Sequence, residues 1–221
     1  MRKYIPNTIT LINLFCGCAA TVSVLYGDFV ATFWFLFAGG WADYLDGMVA
    51  RWLKVNSVLG KELDSMADMV SFGVAPGAIL YMLLHLGWQG ADSSESLMTQ
   101  LDWRALPGFL VSVFAGLRLA RFNLDERQTE DFIGLATPSM TMFVTGLMVI
   151  FYNNSLGLGW LVSHPYLLYA VAAFFSFLMV AEIPMFSFKF KGAQWKGNEW
   201  RYSFIALTVL MLLLLREASF S

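Results

Sequence analysis

The sequence predicts an all-α protein, a polytopic transmembrane helix bundle of about seven spans (within a range of six to eight) that forms one integral membrane catalytic domain over residues 1–221. Three observations predict it. The chain is 58% hydrophobic and only 14% charged, where a soluble domain carries about 25% charged residues. Its mean hydropathy is +0.61. Apolar runs recur at about the 20-residue length that a bilayer-crossing helix needs. Lys and Arg, finally, gather in alternate connections between those runs. The net charge of −2 offers no basic surface for nucleic acid, and that class of partner is excluded.

The first apolar run starts near Ile9, behind Arg2 and Lys3. It has no small-x-small cleavage site before Asp28, so it reads as a retained span rather than a leader. The spans are read at 8–26, 29–51, 63–86, 106–122, 136–152, 165–185 and 202–216, the last being short. Pro107, Pro138 and Pro165 fall near helix starts, where a missing N–H does no harm. Pro184 lies near the end of the sixth span. Twelve of the 14 basic residues then share one side: Arg2, Lys3, Arg51, Lys54, Lys61, Arg118, Arg121, Arg127, Lys189, Lys191, Lys196 and Arg201. Only Arg104 and Arg216 fall on the other. The basic side is the cytoplasmic one, which suits a prokaryotic inner (cytoplasmic) membrane. The 87–103 loop, with Asp92, Glu95 and Asp102, lies opposite. His85 and His164 belong to that far side and read as interfacial. Trp88, Trp103, Trp195 and Trp200 suit the aromatic belts. Cys16 and Cys18 are read as two small apolar side chains within a span.

Against this background four aspartates stand out. They follow the pattern Asp43-x2-Asp46-Gly47-x2-Ala50-Arg51-x8-Gly60-x3-Asp64-x3-Asp68. A carboxylate at membrane depth costs roughly 2.5–3.5 kcal/mol on insertion scales, so four together call for a compensating cation. Asp43 and Asp46 are i, i+3; Asp64 and Asp68 are i, i+4. Each pair therefore shares a helix face. The second span ends, and the third begins, at the cytoplasmic face, so both pairs meet at one depth. The bland alternative is a set of interfacial charges paired with Arg51, Lys54 and Lys61. Gly47, Ala50 and Gly60 continue the carboxylate faces with almost no side chain. They either leave room for a ligand or allow close helix packing.

This constellation resembles the signature of the CDP-alcohol phosphatidyltransferase family, with every specified position matched. Pro6-Asn7-Thr8 with Asn13 looks like the family's amino-terminal element. Ser71-Phe72-Gly73-Val74-Ala75-Pro76, Leu117–Asn123 and Gly134-Leu135-x-Thr137-Pro138 are similar to its phosphatidylserine synthase branch. The resemblance implies transfer of the phosphatidyl group of CDP-diacylglycerol to L-serine, with release of CMP, by metal-assisted in-line attack. It implies Asp43, Asp46 and Asp64 as metal holders. Asp68 is implied as the general base and as a contact to a second metal. Oxygen ligands suit Mg or Mn, and Ca as well. Asn7, Thr8, Asp43, Asp46, Gly47, Ala50, Arg51 and Gly60 are expected around the nucleotide. Arg51 faces either a phosphate or Asp46. Arg118 and Arg121 are expected to meet the serine carboxylate, although the positive-inside rule explains them as well. Ser71 either lines the alcohol pocket or packs helices. The family precedent is a homodimer; the lipid bilayer is the expected partner, and the charge pattern places the site at the cytoplasmic face. Two competing readings stand beside this one: the same chemistry with glycerol 3-phosphate or inositol phosphate, and a divalent-cation transporter.

Overall fold

The computed structural model describes residues 4–55, 57–90, 101–124 and 132–185. The predicted span 202–216, the acids Asp92 and Glu95, the lysines of the 189–201 loop, Trp195 and Trp200 lie outside the described residues.

Helices account for almost all of the described chain. α1 (Tyr4–Leu25) and α2 (Phe29–Leu53) pack side by side along their length. The turn between them is short because Gly27 adopts φ +75 and Asp28 caps α2, accepting from Ala31 N at 2.9 Å. Lys54 ends α2 in a left-handed conformation, φ 52, and its N–H closes on Ala50 O and Arg51 O. Three residues later the Ser57 hydroxyl accepts from Gly60 N and starts the next helix. That tight connection, capped on both sides, sets the first aspartate pair beside the second.

α3 (Val58–Gln89) is the central post. Ser71, Phe72 and Gly73 are buried, and so is every residue from Ala75 through His85. Ile79, Leu80, Met82, Leu83 and Leu84 have no exposure at all. α4 (Leu110–Leu124), entered through a 3-10 turn at Leu106–Phe109, and α5 (Thr137–Asn153) pack around it. A short α6 (Gly159–Val162) leads to α7 (Pro165–Val180). Pro107, Pro138 and Pro165 do sit in first turns.

Two expectations are corrected. The sixth predicted span, α7, stops at Val180 rather than continuing to 185. Pro184 has no N–H for the Val180 carbonyl, and its ring would crowd that carbonyl in a continued helix. Ala181 accordingly turns to ψ 135, and Pro184–Met185 pairs with Phe132–Ile133 in a two-residue antiparallel ladder. His85, near the far end of α3, is enclosed rather than open at the surface: it is 6% exposed and held by Asp102 and Gln89.

The outside of the bundle is apolar. Phe15, Trp34, Trp41, Phe174 and Phe177 are each more than half exposed, and α1 and α3 are long and apolar enough to cross a bilayer. A surface of that kind is stable only in lipid or under another apolar surface. This is a membrane protein, with its hydrophobic residues turned outward as well as inward.

Candidate active site

Asp43 on α2 and Asp64 and Asp68 on α3 each offer a carboxylate oxygen, and these oxygens lie within 4.8 Å of one another. Asp43 and Asp68 are within hydrogen-bond reach of each other. Asp68 Oδ1 is buried and has no partner. Two unit charges 4 Å apart repel by about 4 kcal/mol at an effective dielectric of 20. A third nearby carboxylate adds to that repulsion, so the cluster calls for a proton or a cation between its oxygens. Three hard oxygen donors around one point, one of them orphaned, form a set that fits a divalent cation.

Asp46 behaves differently. It is 5% exposed, and its Oδ2 accepts from Thr10 Oγ1 of α1 at 2.5 Å. It still acts electrostatically on Asp64, but it is the member of the four most strongly tied to another helix. Thr10 is the residue that the sequence reading missed. Thr8, which it named, is exposed, and its hydroxyl donates back to Tyr4 O. The available signal was helical spacing: Thr10 lies three residues after Asn7 and three before Asn13, on one face of α1.

The small residues divide into two kinds. A Cβ on Gly47 would meet nothing within 4 Å, so that stretch of α2 borders open space. A Cβ on Gly60 would come 3.1 Å from Asn7 Oδ1. Gly60 therefore lets α1 approach α3, which brings Asn7 beside the second aspartate pair. Ala50 is half-buried. Arg51 is exposed and donates from Nε to Gly47 O at 3.0 Å; Asp46 meets Thr10 instead of Arg51.

On α4 the two arginines part company. Arg118 is 8% exposed, its Nε has no partner, and it feels the charge of Asp68. Arg121 is exposed. Asn123 reaches α3, donating to Ser65 Oγ at 2.8 Å. Ser71 is 1% exposed and donates to Asn13, with O at 3.1 Å and Oδ1 at 2.7 Å; its visible role is to join α1 to α3.

An apolar groove of about 980 Å³ runs between α2 and α5 and ends at Asp43. Phe33, Phe37 and Trp41 form one wall, and Thr145, Gly146 and Val149 belong to the other. The acidic cluster thus opens onto a hydrocarbon-lined channel, as a site for a charged headgroup with apolar tails requires.

Comparison with known proteins adds an independent line. The CDP-alcohol phosphatidyltransferase family profile matches residues 3–178. A CDP-diacylglycerol–serine O-phosphatidyltransferase of Bacillus subtilis is 34% identical over 192 residues, covering 87% of this chain and 95% of that one. The enzyme of the same name from Mycobacterium leprae is 32% identical over 83% of this chain and 58% of its own length. That from Saccharomyces cerevisiae is 34% identical over 65% of this chain and 53% of its own.

Proposed function

Because the chain belongs to the CDP-alcohol phosphatidyltransferase family, we propose that it transfers the phosphatidyl group of CDP-diacylglycerol to L-serine, giving phosphatidylserine and CMP. The observation that carries this reading is the joining of three convergent carboxylates to an apolar groove at Asp43. Serine, rather than another alcohol, is favoured by the names of the relatives, one of which aligns over nearly its whole length.

In this reading residues 1–221 are one catalytic domain of about seven spans. It sits in a prokaryotic inner membrane with the aspartates at the cytoplasmic face, and it works as a homodimer. The acyl chains of the lipid lie in the groove between α2 and α5, and the pyrophosphate lies at the carboxylates. Asp43, Asp64 and Asp68, whose oxygens converge, would hold a divalent cation, Mg or Mn before Ca, with Asp46 completing the acidic set from its hydrogen bond to Thr10. When bound, the cation neutralises the pyrophosphate and stabilises the leaving phosphate. The clear flank of Gly47 and Ala50 receives the cytidine and ribose, with Asn7, Thr8, Arg51 and Gly60 around it. Asp68 takes the proton of the serine hydroxyl through its unpartnered Oδ1. The serine oxygen bonds to the phosphorus that carries diacylglycerol, and the pyrophosphate P–O bond to CMP breaks. Arg118 holds the serine carboxylate by a charge-assisted contact on the side of the cluster where Asp68 lies, with Arg121 and Ser71 at the margin of that pocket. Positioning and electrostatics supply most of the rate in such a transfer.

The test is CMP release by the purified protein, offered serine, glycerol 3-phosphate or inositol phosphate with Mg, Mn or Ca. Serine with Mg or Mn is expected to release CMP well above background. Release with another alcohol and none with serine would overturn the serine assignment and leave the chemistry.

A further inference from the structure

Just beyond Asp68 the third helix changes its hydrogen-bond pattern. Val70 N–H still bonds to Met66 O in the α manner. Val70–Val74 is then a π-turn, closed by Ala75 N–H on Val70 O. A π-turn holds one residue more than an α-turn. Each residue turns an α-helix by about 100°, so the segment before the π-turn is rotated by roughly that amount relative to an unbroken helix. Asp64 and Asp68 lie on one side of the turn, and the packed segment Ala75–His85 lies on the other. The turn therefore decides which way two of the four carboxylates face.

Its cause lies in Pro76, which has no N–H to offer Phe72 O and whose ring crowds that carbonyl. Hydroxyls of other helices meet the freed Phe72 carbonyl and its neighbour Gly73 O. Thr141 Oγ1 of α5 lies 3.1 Å from Phe72 O, and also 3.0 Å from its own Thr137 O. Ser112 Oγ of α4 donates to Gly73 O at 2.7 Å. Ser112 and Thr141 are both buried. Gly77 makes room for one of them, since a Cβ there would overlap the Ser112 hydroxyl.

We propose that Ser112 and Thr141 are positioning residues for the carboxylate cluster: by holding the carbonyls of the π-turn they fix the rotation that aims Asp64 and Asp68 at Asp43. This inference rests on the cluster being the metal-dependent centre proposed above. Both hydroxyls bond to backbone, so their effect on chemistry passes through α3.

The test uses Thr141→Val and Ser112→Ala, singly and together, in the purified full-length protein. Mn²⁺ affinity is measured from the EPR signal of free Mn²⁺, and kcat and the KM for CDP-dioleoylglycerol are measured alongside. Displacement of a reacting group by about 1 Å can cost a hundredfold in rate. The double variant is expected to elute as a single species, with Mn²⁺ affinity weakened about tenfold, kcat lowered at least about tenfold and lipid KM within about twofold of the parent. Thr141→Ser, which keeps the hydroxyl, is expected to retain parental values. Parental Mn²⁺ affinity and kcat in the folded double variant would overturn the proposal. So would a rise in lipid KM alone, since Thr141 also lines the groove between α2 and α5 and would then act only there, or a Thr141→Ser protein that behaves like Thr141→Val. If the double variant does not fold, each single variant is read by the same criteria. Failure of the serine assignment is separable, because Mn²⁺ affinity is read without any alcohol; a parent protein that binds no Mn²⁺ would overturn both.

Discussion

Arg118 and Arg121 sit three residues apart on one helix, yet only Arg118 is enclosed. Positions i and i+3 differ by about 60° around an α-helix, enough at the edge of a bundle for one side chain to enter and its neighbour to stay out. The sequence could name the pair but not choose between them, because that choice depends on how α4 is rotated against α3. Arg118 is the enclosed one, with its Nε orphaned near Asp68. Arg118→Ala is expected to raise the KM for serine about tenfold or more, the loss of one charge-assisted contact. Arg121→Ala should change it by less than about threefold, the scale of an exposed charge. Equal effects on serine and lipid KM would assign both arginines to topology. Thr10 shows the same limit of legibility. The aspartates are readable because their spacing is fixed and their cost in lipid is high, whereas Thr10 offers only its helical spacing with Asn7 and Asn13, a weaker signal until Asp46 is placed against it.

The elements themselves were largely visible, because a bilayer imposes a helix length and forbids open backbone. Disagreement falls at ends and interruptions, where single residues decide. Pro184 shortens the last described helix. Pro76, hidden inside a strongly apolar run, widens one turn of α3 without ending the helix. At the far end of α3 the legible features were isolated residues, and the network they form was not. His85 Nδ1 lies 3.2 Å from Asp102 Oδ2, and Arg104 donates to Asp102 Oδ1 from N and from Nε. Asp102 N–H donates to Tyr81 OH at 2.9 Å. Tyr169 OH of α7 donates to Arg104 O and accepts from Trp88 Nε1. These contacts pin the segment before α4 onto α3 and α7. Burial pushes the Asp102 carboxyl up, but hydrogen bonds from Arg104 and His85, with the Arg104 charge, bring it below the usual carboxylate range. A carboxylate whose pKa is lowered by folding stabilises above its unfolded value, near 4, and that contribution is lost as pH falls through the folded value. At pH 7 Asp102→Asn should therefore melt below the parent, by about 2–4 °C for each kcal/mol lost in a chain of this size. The gap should close below about pH 4. A gap that persists unchanged at pH 3 would show that the carboxylate charge is not what holds this latch.

At the scale of the whole molecule, the described residues combine a lipid-facing exterior with an acidic centre that opens onto a hydrocarbon groove. Composition and charge pattern made the exterior legible, and the aspartate motif made the centre legible. The groove was not, since it arises only when α2 and α5, about a hundred residues apart in sequence, are set side by side. Gly146 lines it, and a Cβ there would meet nothing within 4 Å. Gly146→Trp should therefore fold and fill the channel. Excluding two methylenes costs about 1.6 kcal/mol, or a factor of about fifteen. The KM for dioleoyl CDP-diacylglycerol is expected to rise by about that much, with little change for a short-chain analogue; an equal rise for both would place the acyl chains elsewhere. In the function proposed above, a carboxylate centre in this membrane protein joins serine to a CDP-activated lipid. The most direct test of that function is incorporation of labelled L-serine into extractable lipid by the parent and by Asp68→Asn, with the divalent cation removed and then restored. The account predicts incorporation that follows CMP release one for one, stops without the cation and falls at least about a hundredfold in Asp68→Asn. Undiminished incorporation by Asp68→Asn, or CMP release with no label in lipid, would contradict it.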